Sequence, residues 1–398
     1  MKNSLATIIL CFLTSLGIAQ GTITLNGGGT SQKNYYSEID YESSDGTPVV
    51  KVIIGGKTYR FILDTGAPNV ISKELLEKLP PANINRNGFK KEAVWDASDK
   101  VDSLNIITLS GIKLGNVVFD NIPTLVMNDQ FLFDCYRFDG VIGSNMLRNS
   151  IIQISSKTRK LILTDQPEKL QLKNKPSDSL YLDYAQSTPS VFVNMMDIDT
   201  VDMPMVFDTG DRGFFSLALN HYKVLEKGQI FKVLGKSTGS TGVSAHGIER
   251  DTTLYNLRAR ELRLHGALFK NTSMLTTPAE ESRIGAKLLN YGVVTLAYST
   301  RKFYFEPFQS AVDLLIAPFP VMLGFKKDKV TIGTIWDEKL KDRISVGDSV
   351  LALDDQDISR FTLCDLVKAT TIFDEKNEIL LTLKNLEGKV NKIKIARQ

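Results

Sequence analysis

From Val49 onward the chain runs in short apolar stretches rich in β-branched residues, broken by polar positions and closed by glycine: VVKVIIGG, YRFILDTG, LNIITL, NVVFDNI, DGVIGS and SIIQIS. Such runs predict strands joined by tight turns. Helical periodicity is brief and clearest in SKELLEKL at residues 72–79. Ahead of the runs, residues 20–44 mix glycines with a tyrosine-rich alternation, which predicts a leader strand after a flexible lead-in. The expectation is a mainly β protein.

Setting the chain against itself adds a second level. Residues 142–163, IGSNMLRNSIIQISSKTRKLIL, align with residues 284–305, IGAKLLNYGVVTLAYSTRKFYF, with 6 of 22 positions identical and most others exchanging one apolar or small residue for another. An Asp-Thr-Gly precedes each block, Asp64-Thr65-Gly66 by 78 residues and Asp208-Thr209-Gly210 by 76. Two motifs at nearly equal spacing predict two similar β-rich lobes in tandem, at residues 45–166 and 188–308. The proline-containing, mixed-charge stretch 167–187 forms the crossover. A third unit, residues 318–398, carries the strand candidates VTIGTI, DSVLALD and EILLTLKN and an amphipathic helix at 362–370, which together predict a small α/β domain with its own core.

The Asp-Thr-Gly pair is where chemistry enters. Phe61-Ile62-Leu63 and Val206-Phe207 deliver each Asp at the end of a buried strand, and Gly66 or Gly210 lets the backbone approach closely. Two such turns face to face bring two carboxylates within hydrogen-bonding reach. Like charges that close cannot both ionise, so the pair shares a proton and presents an acid and a base together. A water between them could then be deprotonated as it attacks a peptide carbonyl, while the protonated member supports the developing oxyanion. Thr65 and Thr209 are small enough for their hydroxyls to lock the turns by reciprocal hydrogen bonds. A coupled dyad titrates as a pair, so no separate role attaches to either carboxyl.

FILDTGAPNV at residues 61–70, followed by DGVIGSNMLRNSIIQI, resembles an aspartic protease of the pepsin and retroviral-protease class; MVFDTGDRG followed by SRIGAKLLNYGVVTLAY repeats the pattern. The resemblance implies a bilobal aspartic-protease-like fold in which Val141-Ile142-Gly143 and Arg283-Ile284-Gly285 intertwine with the two loops. It also implies an aspartic endopeptidase acting on a peptide or protein substrate, without cofactor or metal, as a monomeric catalytic unit. Asp64 and Asp208 would be catalytic, supported by Thr65, Gly66, Thr209 and Gly210. One departure stands in the second loop: Asp211 occupies a position where the family prefers Ala or Ser, and it either pairs with Arg212 or sets a third acid near the dyad. The family covers its substrate with a β-hairpin flap, for which the candidates are Gly239 and Gly242 in TGSTGVSAHG and Trp95 in EAVWDASD. Gly239 and Trp95 each lie 31 residues beyond the Asp of their lobe. Trp95 reads equally well as a tryptophan packing a lobe surface.

The segment VMLGFKKDKVTIGTIWDEKLKDRISVGDSVLALDDQDI resembles a PDZ domain. This implies a loop at Leu323-Gly324-Phe325 aiming backbone N–H groups at a peptide's terminal carboxylate, with the peptide adding a strand beside residues 325–327 and a helix forming the far wall. The other functional class compatible with these features is a noncatalytic peptide-binding or scaffold protein with protease-like lobes.

Composition and the N-terminus refine the setting. Lys2, the apolar run over residues 5–16 and the small residues Gly17 and Ala19 predict an export signal, residues 1–19, and a periplasmic or secreted product. No later stretch approaches the roughly 18 apolar residues of a membrane span, so no stable membrane insertion is expected. A balance of 48 basic against 45 acidic residues leaves +3, which argues against a nucleic-acid partner. Cys135 and Cys364 fall in different domains and are expected as two free buried thiols in preference to an interdomain disulfide. His221, His246 and His265 lack metal-ligand spacing, and Gly235-Lys236-Ser237 lacks the first glycine of a phosphate loop.

Overall fold

The computed structural model describes residues 24–397 apart from 45, 96–100, 130, 241, 245, 246, 249, 370–372, 374 and 375. The predicted export segment and His246 lie outside these residues, as does the side chain of Trp95. The chain is mainly β. Alternation along the strands sets which face is buried: in Pro189–Met196 the buried positions are Pro189, Val191, Val193 and Met195, with the residues between them facing outward. Val70–Ser72 and Gly140–Gly143, by contrast, are buried at every position because they lie inside their sheet.

The two halves repeat one local topology. Lys57–Asp64 pairs antiparallel with Thr47–Ile54 and parallel with Gly140–Gly143, which in turn pairs antiparallel with Val70–Ser72. Thr200–Asp208 pairs antiparallel with Pro189–Met196 and parallel with Arg283–Gly285, which pairs antiparallel with Phe215–Ala218. The duplicated blocks then meet: Ile151–Ser155 of the first pairs antiparallel with Gly292–Ala297 of the second, with Ile152 opposite Leu296. The leader strand Tyr36–Ser44 joins this assembly against Lys160–Thr164. One apolar core therefore runs through both halves, from Tyr35 and Phe61 through Phe207 and Phe269 to Phe305.

Residues beyond Phe319 form a separate core around Ile332, Val350, Leu381 and Ile393. Its sheet runs in the order Val321–Lys326, Lys329–Ile335, Ser349–Leu353, Glu378–Lys384 and Val390–Ala396, with Gln356–Asp357 beside Ser349–Leu353. The helix Leu363–Lys368 starts at a capping box: Thr362 Oγ1 accepts from Asp365 N, and the Asp365 carboxylate accepts from Thr362 N.

This unit is fastened to both halves, and here the structure corrects an expectation. Cys135 and Cys364 are not free thiols but a disulfide. The helix Phe131–Tyr136 of the first half lies beside Leu363–Lys368, where the Tyr136 hydroxyl donates to Val367 O at 3.3 Å, and that approach brings together cysteines 229 residues apart. On the other half, Lys232–Gly239 lies against Lys329–Ile335, with Ile335 N donating to Ser237 Oγ at 2.9 Å. Gly239 is required there: a Cβ would sit 1.9 Å from Gly333 O.

A cross-link closing so long a loop removes conformational freedom chiefly from the unfolded chain. Replacing both cysteines by serine should lower the unfolding free energy by about 2–5 kcal/mol. Urea denaturation of the two proteins checks the loss, and non-reducing peptide mapping of the unaltered chain should return Cys135 and Cys364 in one linked fragment.

Candidate active site

Each Asp-Thr-Gly loop grows from a strand whose apolar residues are fixed in the core. Phe61, Leu63 and Phe207 are fully buried, so Asp64 and Asp208 emerge at the points where their strands leave the sheet. The parallel partner strands carry glycine opposite each acid, Gly143 beside Asp64 and Gly285 beside Asp208. A Cβ at Gly143 would lie 2.1 Å from the Pro68 carbonyl carbon, and one at Gly285 would lie 2.3 Å from Gly213 O. The missing side chains let each loop fold back over its partner strand. Matching hydrogen bonds hold both folds, Ser144 N to Ala67 O at 3.0 Å and Ala286 N to Asp211 O at 2.7 Å.

The loops face each other across the boundary between the halves and are tied by crossed threonines. Thr65 Oγ1 donates to Phe207 O and Thr209 Oγ1 donates to Leu63 O, both at 2.6 Å. Each hydroxyl also accepts from the opposite threonine's backbone N–H at 3.1 Å. Both threonines are fully buried. Each acid thereby lies over the other loop's glycine: a Cβ at Gly66 would be 2.4 Å from Asp208 Cγ, and one at Gly210 would be 2.2 Å from Asp64 Oδ2.

The carboxyls of Asp64 and Asp208 thus face each other, each against the glycine of the opposite loop. Burial, then the charge of Asp208 and hydrogen bonding with it, hold Asp64 well above the ordinary carboxyl range, against the Gly66 N–H and Arg283. Asp64 Oδ1 accepts from Gly66 N at 2.9 Å. Asp208 Oδ1 accepts from Gly210 N at 2.9 Å and Asp211 N at 3.1 Å, and Asp208 Oδ2 lies 3.3 Å from Arg283 Nε. Asp211 is a third acid beside the dyad. Burial and the charge of Asp208 raise it, while the N–H of Gly213, Arg283 and Arg212 oppose the rise. Arg212 directs its guanidinium elsewhere, over the Tyr136 ring at 4.9 Å and to Val367 O at 3.2 Å.

The structure thus gathers Asp64, Thr65, Gly66, Asp208, Thr209 and Gly210 into one site. The flap candidates fall in two segments: Trp95 ends the strand Ile84–Trp95 opposite Val101, while Gly239 ends Lys232–Gly239 against the C-terminal unit and Gly242 precedes the short strand Val243–Ser244. Leu323, Gly324 and Phe325 do not form the expected loop. They belong to the strand Val321–Lys326, paired with Ile332, Thr331 and Val330. Gly324 is held there by packing, since a Cβ would lie 2.5 Å from Ser240 O. Two contributors escaped sequence reasoning. Ser144 Oγ donates to Thr65 O at 2.7 Å and meets the Tyr298 hydroxyl at 2.9 Å, which props the first loop from below. Arg283 reaches Asp208 from a position where the first half carries Val141, and a charge in an apolar slot was its only signal. Among the described residues no group of three or more His, Cys, Asp or Glu is disposed to hold a metal ion.

The aspartyl protease family model matches residues 50–146, the part that carries Asp64. None of the curated proteins matches the chain. Among solved structures, basic 7S globulin from soybean is 11% identical with a TM-score of 0.41, over 69% of this chain and 95% of that one. A retropepsin-like aspartic protease from Rickettsia conorii is 20% identical with a TM-score of 0.24, over 33% of this chain and 92% of that one. The chain contains an aspartic-protease-like domain.

The crossed threonines carry the first expected outcome at this site. In Thr209→Val, Leu63 O loses its donor and Thr65 N its acceptor in a fully buried setting, which should cost about 2–5 kcal/mol in urea unfolding. Thr209→Ser keeps the hydroxyl and should cost about 1 kcal/mol for the lost methyl. The second outcome concerns pH. Asp64 keeps its proton in the folded chain where the unfolded chain has released it. Its contribution to stability is therefore full below the ordinary carboxyl range and is lost as pH rises through its raised value. Unfolding midpoints measured over about pH 4–8 should decline less steeply in Asp64→Asn than in the parent.

Proposed function

We propose that the protein is an exported aspartic endopeptidase that hydrolyses peptide bonds with a water activated between Asp64 and Asp208. The observation that carries this reading is the crossed pair of threonine hydrogen bonds, which sets two partly buried carboxyls of one chain face to face. In such a pair one carboxylate takes a proton from the water as it attacks the scissile carbonyl. The other gives a hydrogen bond to the carbonyl oxygen, and the dyad then returns a proton to the leaving nitrogen. Because both halves of the site come from one chain, the catalytic unit is a monomer. The Cys135–Cys364 disulfide fits an oxidising compartment and so supports export to the periplasm or the exterior.

The C-terminal unit is read as a PDZ-like peptide-capturing module. Support comes from the strand Val321–Lys326 at the end of its sheet, with the helix Leu363–Lys368 in the same unit. A peptide could add beside that strand and be held by main-chain hydrogen bonds. A noncatalytic peptide-binding protein is the second reading, favoured by the Arg283–Asp208 ion pair inside the dyad environment.

Incubation with a diverse peptide library, read by mass spectrometry, should yield cleavage that survives chelators and is suppressed by a statine-type mimic of the tetrahedral intermediate. Asp64→Asn and Asp208→Asn should each lower turnover by at least about 100-fold while keeping the parent's circular dichroism spectrum. Peptide binding without cleavage at any pH would support the scaffold reading instead.

A further inference from the structure

Duplication makes the surroundings of the two acids nearly equivalent. Each sits at a strand end, each accepts from the glycine of its own loop, and each is opposite a glycine of the parallel strand. Equivalent surroundings would give neither carboxyl a prior claim on the shared proton. The loops differ at several positions, among them Pro68 against Arg212 and Ser144 against Ala286, and two of the differences set charge closest to Asp208. Where the first loop has Ala67 the second has Asp211, and where the first half has the buried Val141, opposite Ile62, the second has Arg283 opposite Val206. Both changes introduce charge, of opposite sign, and both fall on the Asp208 side.

We infer that Arg283 is the positioning residue that keeps Asp208 as the ionised member of the dyad and leaves the single proton on Asp64. The inference rests on the peptidase reading of the same site and assigns the roles within it: Asp208 takes the proton of the attacking water, and Asp64 donates to the carbonyl oxygen.

The contacts carry the assignment. Both oxygens of Asp208 have partners: Oδ1 accepts from two backbone N–H groups, and Oδ2 forms an ion pair with the guanidinium. The Arg283 side chain is 19% exposed and that of Asp208 14%, so water screens the pair little. Asp64 has one backbone donor, Gly66 N, and no cation within ion-pairing distance among the described residues. The other charged groups facing this pair are Asp64 at the end of Lys57–Asp64, Asp211 and Arg212 in the second loop, and Glu281 just before Arg283. Burial raises Glu281, and Asp183, Glu280 and Asp208 push it further in that direction against Arg283. Asp211 and Glu281 are thereby both biased toward their neutral forms. Of the two cations in the cluster, Arg283 and Arg212, Arg283 is the one in direct contact with Asp208.

Two measurements test the assignment on the full, disulfide-intact chain. An epoxide alkylates an ionised carboxylate, whereas a diazoacetyl reagent with cupric ion esterifies a protonated one. Peptide mapping after each treatment should place the epoxide on Asp208 and the diazo reagent on Asp64. The second measurement is the pH profile of kcat/KM. Arg283→Gln should move the acid limb to higher pH by at least about 1 pH unit, since removing a cation makes the dyad hold its protons more tightly, and Arg283→Lys should restore most of the shift. Labelling of both acids by one reagent, the reverse order of labelling, or an unmoved acid limb in a folded Arg283→Gln protein would overturn the inference. If the reagents sort as expected but no peptide is cleaved, the peptidase reading fails and the charge assignment stands.

Discussion

The fold converges on an arrangement that electrostatics opposes: two carboxyl groups set face to face in a partly buried site. Bringing them there costs desolvation and, if both ionise, repulsion. Something covalent or strongly directional must hold the loops closed. The crossed hydrogen bonds of Thr65 and Thr209 do so, because each hydroxyl donates to the opposite strand's carbonyl while accepting from the opposite loop's N–H. Four hydrogen bonds join six polar groups across the boundary: two hydroxyls, two carbonyls and two backbone N–H groups. The loops are therefore interdependent, and separating the halves would expose the acids and break all four bonds.

The rest of the molecule serves that closure. The duplicated blocks pair strand to strand through Ile151–Ser155 and Gly292–Ala297, so the halves share a sheet as well as a core. Glycines appear where a side chain would force the loops apart: Gly143 and Gly285 under the folded-back segments, Gly66 and Gly210 under the opposing carboxyls. The C-terminal unit reaches both halves, by a disulfide to one and by close strand packing to the other, and its helix meets Arg212 immediately after the second loop.

Much of this was legible because it is encoded locally or by repetition. Strand ends at Leu63 and Phe207, the glycine turns behind them and the equal spacing of the two blocks are all short-range signals, and a duplicated topology follows from them. The helices Lys73–Lys78 and Leu363–Lys368 announce themselves through Ser72 and Thr362 as caps. Contacts between distant segments were not legible. The cysteines lie 229 residues apart and become neighbours only when two short helices dock. Gly324 looked like a loop glycine because its reason for lacking a side chain, Ser240 O, belongs to another part of the chain. Gly239 looked like a flap glycine for the same reason, since Gly333 O is what excludes a Cβ there.

Arg283 shows how a duplicated site acquires a direction. A perfect repeat would present two interchangeable acids, yet the peptide hydrolysis proposed for this site asks one carboxyl to accept a proton and the other to donate a hydrogen bond in the same step. Differentiation requires a change near one acid that leaves the crossed threonines and the glycines untouched. Position 283 meets that condition, because it lies on the parallel strand two residues before the glycine that faces Asp208, and its side chain reaches the carboxyl without entering the loop backbone. Asp211 adds a further acid beside Asp208, and Arg283 is the cation that touches Asp208 from the parallel strand. These two departures from the repeat are therefore one feature, and the second loop can carry its extra acid because the neighbouring strand supplies the cation.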